Sequence, residues 1–369
     1  MYEHKAVGPN LKSYFYYTNE VAEAKNSTNE VFVFATGMEG TGALYDEIGE
    51  YLSNKGYALY AIDEWQYGKS GDVNKKMCRK NWGRKDSYYA AYNVHALTII
   101  AKREHPNAKI CLVGNDFGSM LCLHLMKEFP EVVDRVVTIG WGMPRLQDYG
   151  FLLGAYIRKL FFWDNSVSKF GHFSKNKSLA IRFEGGSKYS WMTSDKEQIK
   201  KIVAAEYINQ PGTVGHYFYY YLRKVFMPHL FMRMKQTDRT TPMLFISGDH
   251  DLTTLRGRKT EALERYYRHR GFKNVSCAIV KGRHQLLFDA GRFELMDSII
   301  GWAETGASVV QPEIISNPVN EENEVTIVGA PIVSGKEATI TVVNEPIVNP
   351  ARFDALQEAD DSLLIRTTK

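Results

Sequence analysis

One stretch constrains this chain more than any other, the thirteen residues from Lys109 to Leu121. Ile110 to Val113 is an unbroken apolar run, as expected of a parallel strand buried on both faces. The run stops at Gly114, a second glycine stands at Gly118, and apolar residues then recur with helical spacing through Leu121, Leu123 and Leu125. Strand, sharp turn and helix, with a glycine on each side of one central residue, describe a turn so tight that side chains there would strike the neighbouring strand and helix. Such a turn lifts the central side chain above the sheet, beside a helix N-terminus whose N–H groups can hold negative charge. That central residue is Asp116.

The rest of the chain supplies the companions such a stretch needs. Ser13 to Thr18 alternates weakly as an opening strand, and Glu30 to Ala35 is a stronger one ending at Thr36-Gly37-Met38. A helix is predicted from about Leu44 to Asn54, with Gly56 as its stop. A strand from Tyr57 to Ile62 closes at Asp63, and a helical segment from about Lys85 to Glu104 leads into the central stretch. Further strands are predicted at Arg135 to Gly140, Pro242 to Gly248 and Val275 to Val280, with helices from about Thr254 to Arg270 and up to Trp302. Strands alternating with helices predict an α/β fold with a mostly parallel sheet flanked by helices. Between about residues 142 and 235 the regularity breaks into an aromatic and basic stretch, expected to be an inserted, mainly helical cap.

With 369 residues, 44% of them hydrophobic, the chain can bury a large core. The expected organisation is a domain of residues 1–306 and a tail of residues 307–369, mostly disordered or extended. The tail holds ten acidic and four basic residues, so the net charge of +4 divides into −6 for the tail and +10 for the remainder. A basic body favours anionic surfaces such as membrane lipid, although its basic residues match no nucleic-acid-binding module. No apolar run reaches the roughly 18 residues of a membrane span, and the N-terminus lacks a signal-peptide pattern. Cys78, Cys111, Cys122 and Cys277 have neither zinc-ligand nor disulfide-framework spacing. The expectation is a reduced, cytoplasmic chain, with peripheral membrane contact through the cap. No cofactor or metal is implied, and the oligomeric state is not readable.

Asp116, Asp251 and His284 each follow a separate predicted strand, so a parallel sheet gathers them at one edge. Nucleophile, acid, then histidine is also the chain order of the nucleophile-elbow enzymes. In such a set the histidine moves protons, while the acid fixes its tautomer and stabilises its charge.

Thr36 to Tyr45, Asp63 to Ser70, the elbow, Ser247 to Asp251 and Arg283-His284 together resemble the lysophospholipase and monoacylglycerol lipase group of α/β-hydrolases, the serine aminopeptidase type. Lys188 to Asp195 resembles that group's aromatic turn before a cap helix. The resemblance spans about Asn29 to Glu304. It implies hydrolysis of a lipid-like or small ester, with Asp251 as the acid, His284 as the base, and the backbone N–H groups of Met38 and Phe117 as the oxyanion hole. Asp249 is the second candidate for the acid.

The departures cluster at the chemistry. Asp116 stands where the group has serine, Thr36-Gly37 where it has His-Gly, Gly40-Thr41 where it has Glu-His, Asn115 where it has histidine, and Trp65-Gln66 where it has Arg-Gly. Three further readings therefore stand beside the ester hydrolase. Asp116 could attack an electrophilic carbon, as in the epoxide hydrolase and dehalogenase branches of the fold, with cap tyrosines such as Tyr217, Tyr219 or Tyr220 assisting. The chain could be a catalytically degenerate protein that binds a lipid or partner, since the Asp116 charge opposes an oxyanion beside it. Ser119 could substitute as the nucleophile.

Overall fold

The computed structural model describes residues 1–7, 13–19, 30–37, 40–63, 67–71, 84–163, 179–183, 187–204, 214–226, 238–306 and 339–342. Its strands are β1 (Tyr2–Val7), β2 (Ser13–Thr18), β3 (Glu30–Ala35), β4 (Ala58–Ile62), β5 (Lys109–Asn115), β6 (Arg135–Ile139), β7 (Met243–Gly248), β8 (Val275–Val280) and β9 (Thr339–Val342). Its helices are α1 (Asp46–Lys55), α2 (Arg84–Glu104), α3 (Phe117–Glu128), α4 (Leu146–Phe161), α5 (Lys196–Ala204), α6 (Val214–Phe226), α7 (Arg258–His269) and α8 (Arg292–Thr305).

The nine strands form one sheet in the order β8-β7-β6-β5-β3-β4-β2-β1-β9. From β8 to β4 every pairing is parallel, whereas β2 pairs antiparallel with both β4 and β1. Both faces of the parallel part are covered, which explains the unbroken apolar runs. Val31, Val33, Ile110, Leu112 and Val136 belong to a core shared with Leu97 of α2 and Leu125 of α3. Their neighbours Phe32, Phe34, Cys111, Val113 and Val137 face the opposite core, with Ile48 of α1 and Ile299 of α8. The period of two along each strand thus sorts residues into two cores.

Helix α3 is buried along nearly its whole length, as an all-round apolar helix must be. Helix α1 stops where Gly56 turns left-handed (φ 84°) and its N–H donates to the carbonyls of Leu52 and Ser53, a glycine-terminated helix end. Cys111 lies fully buried in β5, and burial pushes its thiol pKa up, as for a small core hydrophobe.

Two findings were not in the sequence reading. The polar N-terminus forms β1, where His4 stacks on Tyr16 (4.8 Å) and its Nε2 pairs with the Thr18 hydroxyl (2.7 Å). These contacts run sideways along the sheet, so β1 has no hydrophobic alternation to read. From the tail, Thr339–Val342 pairs parallel with β1, His4 facing Thr339 and Val7 facing Val342. The other tail residues lie outside the described residues, as does much of the sequence between α4 and α6.

Within the insertion, α4 and α6 pack against each other through Phe151 on Tyr221 (5.4 Å) and Tyr156 against Phe218 (6.1 Å). The insertion's aromatics divide: Tyr217, Phe218 and Tyr220 are buried, while Phe161 and Trp163 are 78% and 84% exposed.

A Cβ on Gly118 would lie 1.9 Å from the Ala35 carbonyl oxygen, whereas one on Gly150 of α4 would meet nothing within 4 Å. Gly118→Ala is therefore expected to destabilise the protein by about 3 kcal/mol, and Gly150→Ala to stabilise it by about 0.5–1 kcal/mol. Chemical denaturation of the two variants checks both signs.

Candidate active site

The site begins where β5 turns into α3. Asp116 occupies that turn with φ 46° and ψ −112°, a conformation costing a non-glycine residue about 1–3 kcal/mol. Surrounding bonds hold it there. The Asp116 N–H donates to the Ile139 carbonyl (2.9 Å), and the Asp116 carbonyl accepts from the Ser119 N–H (3.1 Å). Gly37 leaves room on the other side, since a Cβ there would sit 3.4 Å from the Asp116 Cβ. Ser119 is no spare nucleophile. Its buried hydroxyl lies 2.8 Å from the Gly114 carbonyl and 3.1 Å from that of Ile139.

Asp251 and His284 arrive from the ends of β7 and β8. The His284 Nδ1 lies 2.9 Å from Asp251 Oδ2, and its Nε2 lies 3.9 Å from Asp116 Oδ1. Burial alone would raise the Asp251 pKa, but the His284 charge and hydrogen bonds from His284 and Thr253 outweigh it and hold the carboxyl below its usual range. Thr253 donates both N–H and hydroxyl to Asp251 Oδ1, each at 2.8 Å. Trp191 stacks on the imidazole at 5.0 Å. On another side, a Cβ on Gly140 would sit 2.9 Å from the ring. The imidazole is thereby fixed in plane and tautomer, and its buried Nε2 has no hydrogen-bond partner among the described residues. Asp249 stands elsewhere, its Oδ1 2.7 Å from His250 Nδ1 and accepting the Gly282 N–H at 3.0 Å.

Of the three cap tyrosines, Tyr220 reaches the elbow. Its buried hydroxyl donates to Asp116 Oδ1 at 3.0 Å, and burial, with Asp116 beside it, raises its pKa so that the phenol keeps its proton. Tyr217 is buried beside His216, and Tyr219 lies under the Lys159 ammonium. A cavity of about 670 Å³ opens in front of Asp116 and Tyr220, with Phe151, Leu179, Leu252 and Lys224 also in its wall.

A buried ion pair supports this wall. Lys259 of α7 donates to Asp148 of α4 at 2.6 Å, both side chains 2% exposed, and Lys224 of α6 lies 3.6 Å from the same carboxylate. Burial and the Lys224 charge lower the Lys259 pKa to about 8, against the pull of Asp148. Burial opposes ionisation of Asp148 too, yet Lys224 and Lys259 together keep its pKa below the ordinary value. Sequence reading missed this pair because its members are 111 positions apart and neither lies in a motif.

Phe117 is the first residue of α3, where a backbone N–H has no intrahelical acceptor. Met38 lies outside the described residues. The altered loop residues have structural tasks. Thr41 donates its hydroxyl to the buried Asp63 (2.6 Å), which also accepts the N–H groups of Gly42 (3.0 Å) and Ser70 (3.1 Å). Burial pushes the Asp63 carboxyl up to about 6 against those hydrogen bonds. Asn115 donates to Gln285, and both border a cavity of about 30 Å³ together with Thr36.

A parallel sheet with an acid and a histidine at successive strand ends, facing a strained elbow, defines an α/β-hydrolase. A profile of the serine aminopeptidase S33 family matches residues 26–291, and the chain belongs to that family of hydrolases. Solved structures agree in fold. A thermostable carboxyl esterase from Bacillus coagulans, in complex with glycerol, superposes with a TM-score of 0.69 at 15% identity, covering 82% of this chain and 98% of its own. A lipase in its open form gives 0.66 at 14% identity, covering 81% and 96%. A soluble variant of monoglyceride lipase from Saccharomyces cerevisiae, with a substrate analogue, gives 0.59 at 12% identity, covering 80% and 92%.

Asp251→Asn would turn an amide N–H₂ toward His284 Nδ1 or sacrifice the Thr253 bonds. The imidazole would then carry its proton on Nε2 and cease to be a base there. Any turnover by the protein is expected to fall by about 10⁴-fold in this variant, with the fold retained, as measured by steady-state kinetics alongside circular dichroism.

Proposed function

We propose that this protein hydrolyses a lipid-like ester by a water that His284 activates, with the Asp116 carboxylate orienting that water where family members use a serine. The observation that carries the reading is the His284 Nε2 atom, buried, without a hydrogen-bond partner among the described residues and 3.9 Å from Asp116 Oδ1. That separation exceeds a direct hydrogen bond and suits a bridging water. A carboxylate attacking an ester carbonyl would give an anhydride, a poor intermediate, so water is the better nucleophile.

The water oxygen attacks the carbonyl carbon while its proton passes to His284 Nε2. The resulting oxyanion is held at the N-terminus of α3 by the Phe117 N–H, and in our reading also by that of Met38. When the intermediate collapses, the ester C–O bond breaks and the leaving alkoxide takes the proton back from His284, releasing acid and alcohol. The hydrogen bond from Tyr220 draws charge away from Asp116, which lessens its repulsion of the oxyanion.

The same Tyr220 contact favours a second reading. With a substrate bearing an electrophilic saturated carbon, Asp116 attacks that carbon and Tyr220 protonates the departing oxygen. The His284-activated water then cleaves the alkyl ester on Asp116. One experiment separates the two. The purified protein is assayed with p-nitrophenyl esters, monoacylglycerol, lysophospholipid and epoxides, with His284→Ala as control, and then taken through a single turnover in ¹⁸O-water. Label in the released acid, and none in the Asp116 peptide, is the expected result. Label in Asp116 would transfer the mechanism to the second reading, and tight ligand binding without turnover would make the chain a binding protein.

Lipid-like substrates also suit the cap's outer side. Among the described residues no helix is long and apolar enough to cross a membrane. Leu160, Phe161 and Trp163 are nevertheless exposed at the end of α4, beside Arg158 and Lys159. Basic residues beside exposed rings are the composition of a segment lying in a lipid interface. Sedimentation with anionic vesicles is expected to retain the wild type and to lose most of a Phe161→Ser, Trp163→Ser variant. Equal sedimentation of the two would remove the membrane contact.

A further inference from the structure

We propose that the cavity in front of Asp116 accepts a substrate whose non-reacting end carries an oxyanion group, a carboxylate or a phosphate monoester. The inference rests on Asp116 marking the substrate site. Four cationic side chains line the cavity, Arg182, Lys224, Arg256 and Arg258. They come from three separate parts of the chain: the segment before the Lys188–Trp191 turn, helix α6, and the stretch from the loop after β7 into the first residue of α7. Their convergence is a product of the fold, not of a local charge run.

The acids in the same wall do not pair with the arginines. Asp148 is shared between Lys259 at 2.6 Å and Lys224 at 3.6 Å, and Asp116 accepts from Tyr220 at 3.0 Å. Both acids are buried at the inner end, whereas Arg182, Arg256 and Arg258 are exposed. Among the described residues these three arginines make no ion pair. The cavity therefore carries engaged acids at its depth and, at its mouth, guanidinium groups that form no ion pair among the described residues.

Arg256 is set there by the backbone. Leu255 and Arg256 both take positive φ (55° and 56°), followed by Gly257 at 85°. Two adjacent non-glycine residues in the left-handed region are sterically unfavourable and persist only where surrounding contacts impose them. Here the Arg256 N–H donates to the Asp251 carbonyl at 2.6 Å, and the Gly257 N–H to the Thr254 hydroxyl at 3.2 Å. The loop that begins with the proposed catalytic acid thus delivers an arginine to the cavity five residues later. A guanidinium offers paired N–H donors that match the two oxygens of a carboxylate or phosphate. Phe151, Leu179, Leu252 and Leu255 supply apolar surface in the same cavity for a short alkyl chain, whose volume of about 670 Å³ suits one small amphiphile.

The test is calorimetric binding to the full-length protein, below micellar concentrations, of decyl phosphate, decanoate, decanol and inorganic phosphate. At least one anionic amphiphile is expected to bind about tenfold or more tightly than decanol, the effect of one charge-assisted hydrogen bond. Whichever binds more tightly identifies the oxyanion. Decanol should displace it competitively, and an Arg182→Gln, Arg256→Gln variant should lose most of the preference while binding decanol as the wild type does. Equal affinity for decanol and both anions would overturn the proposal. So would inorganic phosphate binding as tightly as decyl phosphate, or decanol failing to compete, because either would mean a surface charge cluster outside the cavity. Binding is read without turnover and repeated in His284→Ala. Failure of the catalytic reading would therefore appear in the assays above, and failure of the anion subsite here.

Discussion

The structure depends on one close approach, the backbone of α3 against the C-terminal end of β3. Where a side chain on Gly118 would overlap the Ala35 carbonyl, the helix can lie almost on the sheet. That approach forces the sharp exit from β5 and holds Asp116 in its strained conformation. Ser119 completes the joint, its hydroxyl within hydrogen-bond distance of the Gly114 and Ile139 carbonyls. Separating these backbones by an ångström would relax the elbow and release Asp116 from its position opposite His284.

Around this joint each buried carboxylate has its own partner. Asp251 faces His284, Asp116 meets Tyr220, and Asp148 meets Lys259. The last pair joins a cap helix to a helix of the main sheet, and Lys224 adds a second cap helix to the same charge. Buried ion pairs contribute little net stability but are demanding about geometry, because either partner left alone would be an uncompensated charge. The cap is consequently fixed over the elbow in the one arrangement that keeps Asp148 and Lys259 together. Tyr220, on the same helix as Lys224, arrives at Asp116 as a result.

Elements with a periodic or glycine-marked sequence were legible in advance. Ile110 to Val113, Phe32 to Phe34 and Leu244 to Ile246 read as buried strands because both faces of the sheet are covered. Gly56 and Gly118 read as a helix stop and a tight contact because the backbone requires glycine there. The grouping of Asp116, Asp251 and His284 followed from their positions after separate parallel strands. Strand β1 could not be read, because its polar residues find partners sideways within the sheet. Nor could the Asp148–Lys259 pair or the selection of Tyr220 over Tyr217 and Tyr219, since each depends on how the cap helices rotate. The left-handed pair Leu255 and Arg256 carries no glycine to announce it, its conformation being imposed by bonds back to Asp251 and Thr254.

Asp63, beneath the loop that carries Gly40 and Thr41, has a consequence for how the molecule responds to acid. Its carboxyl titrates at about 6 in the fold, above its ordinary value of 3.8, because burial outweighs the donors around it. The stabilisation associated with its neutral form is fully present below the ordinary value and is lost as pH rises through about 6. Asp251, depressed by His284, has the opposite sense: its contribution is present above the ordinary carboxylate value and is lost as pH falls through its lower native one. Mild acidification therefore relieves the cost of the buried Asp63 charge, while loosening the hydrogen bonds that the carboxylate accepts, before it weakens the acid–histidine contact, so the scaffold and the chemistry of this site answer to different parts of the pH scale.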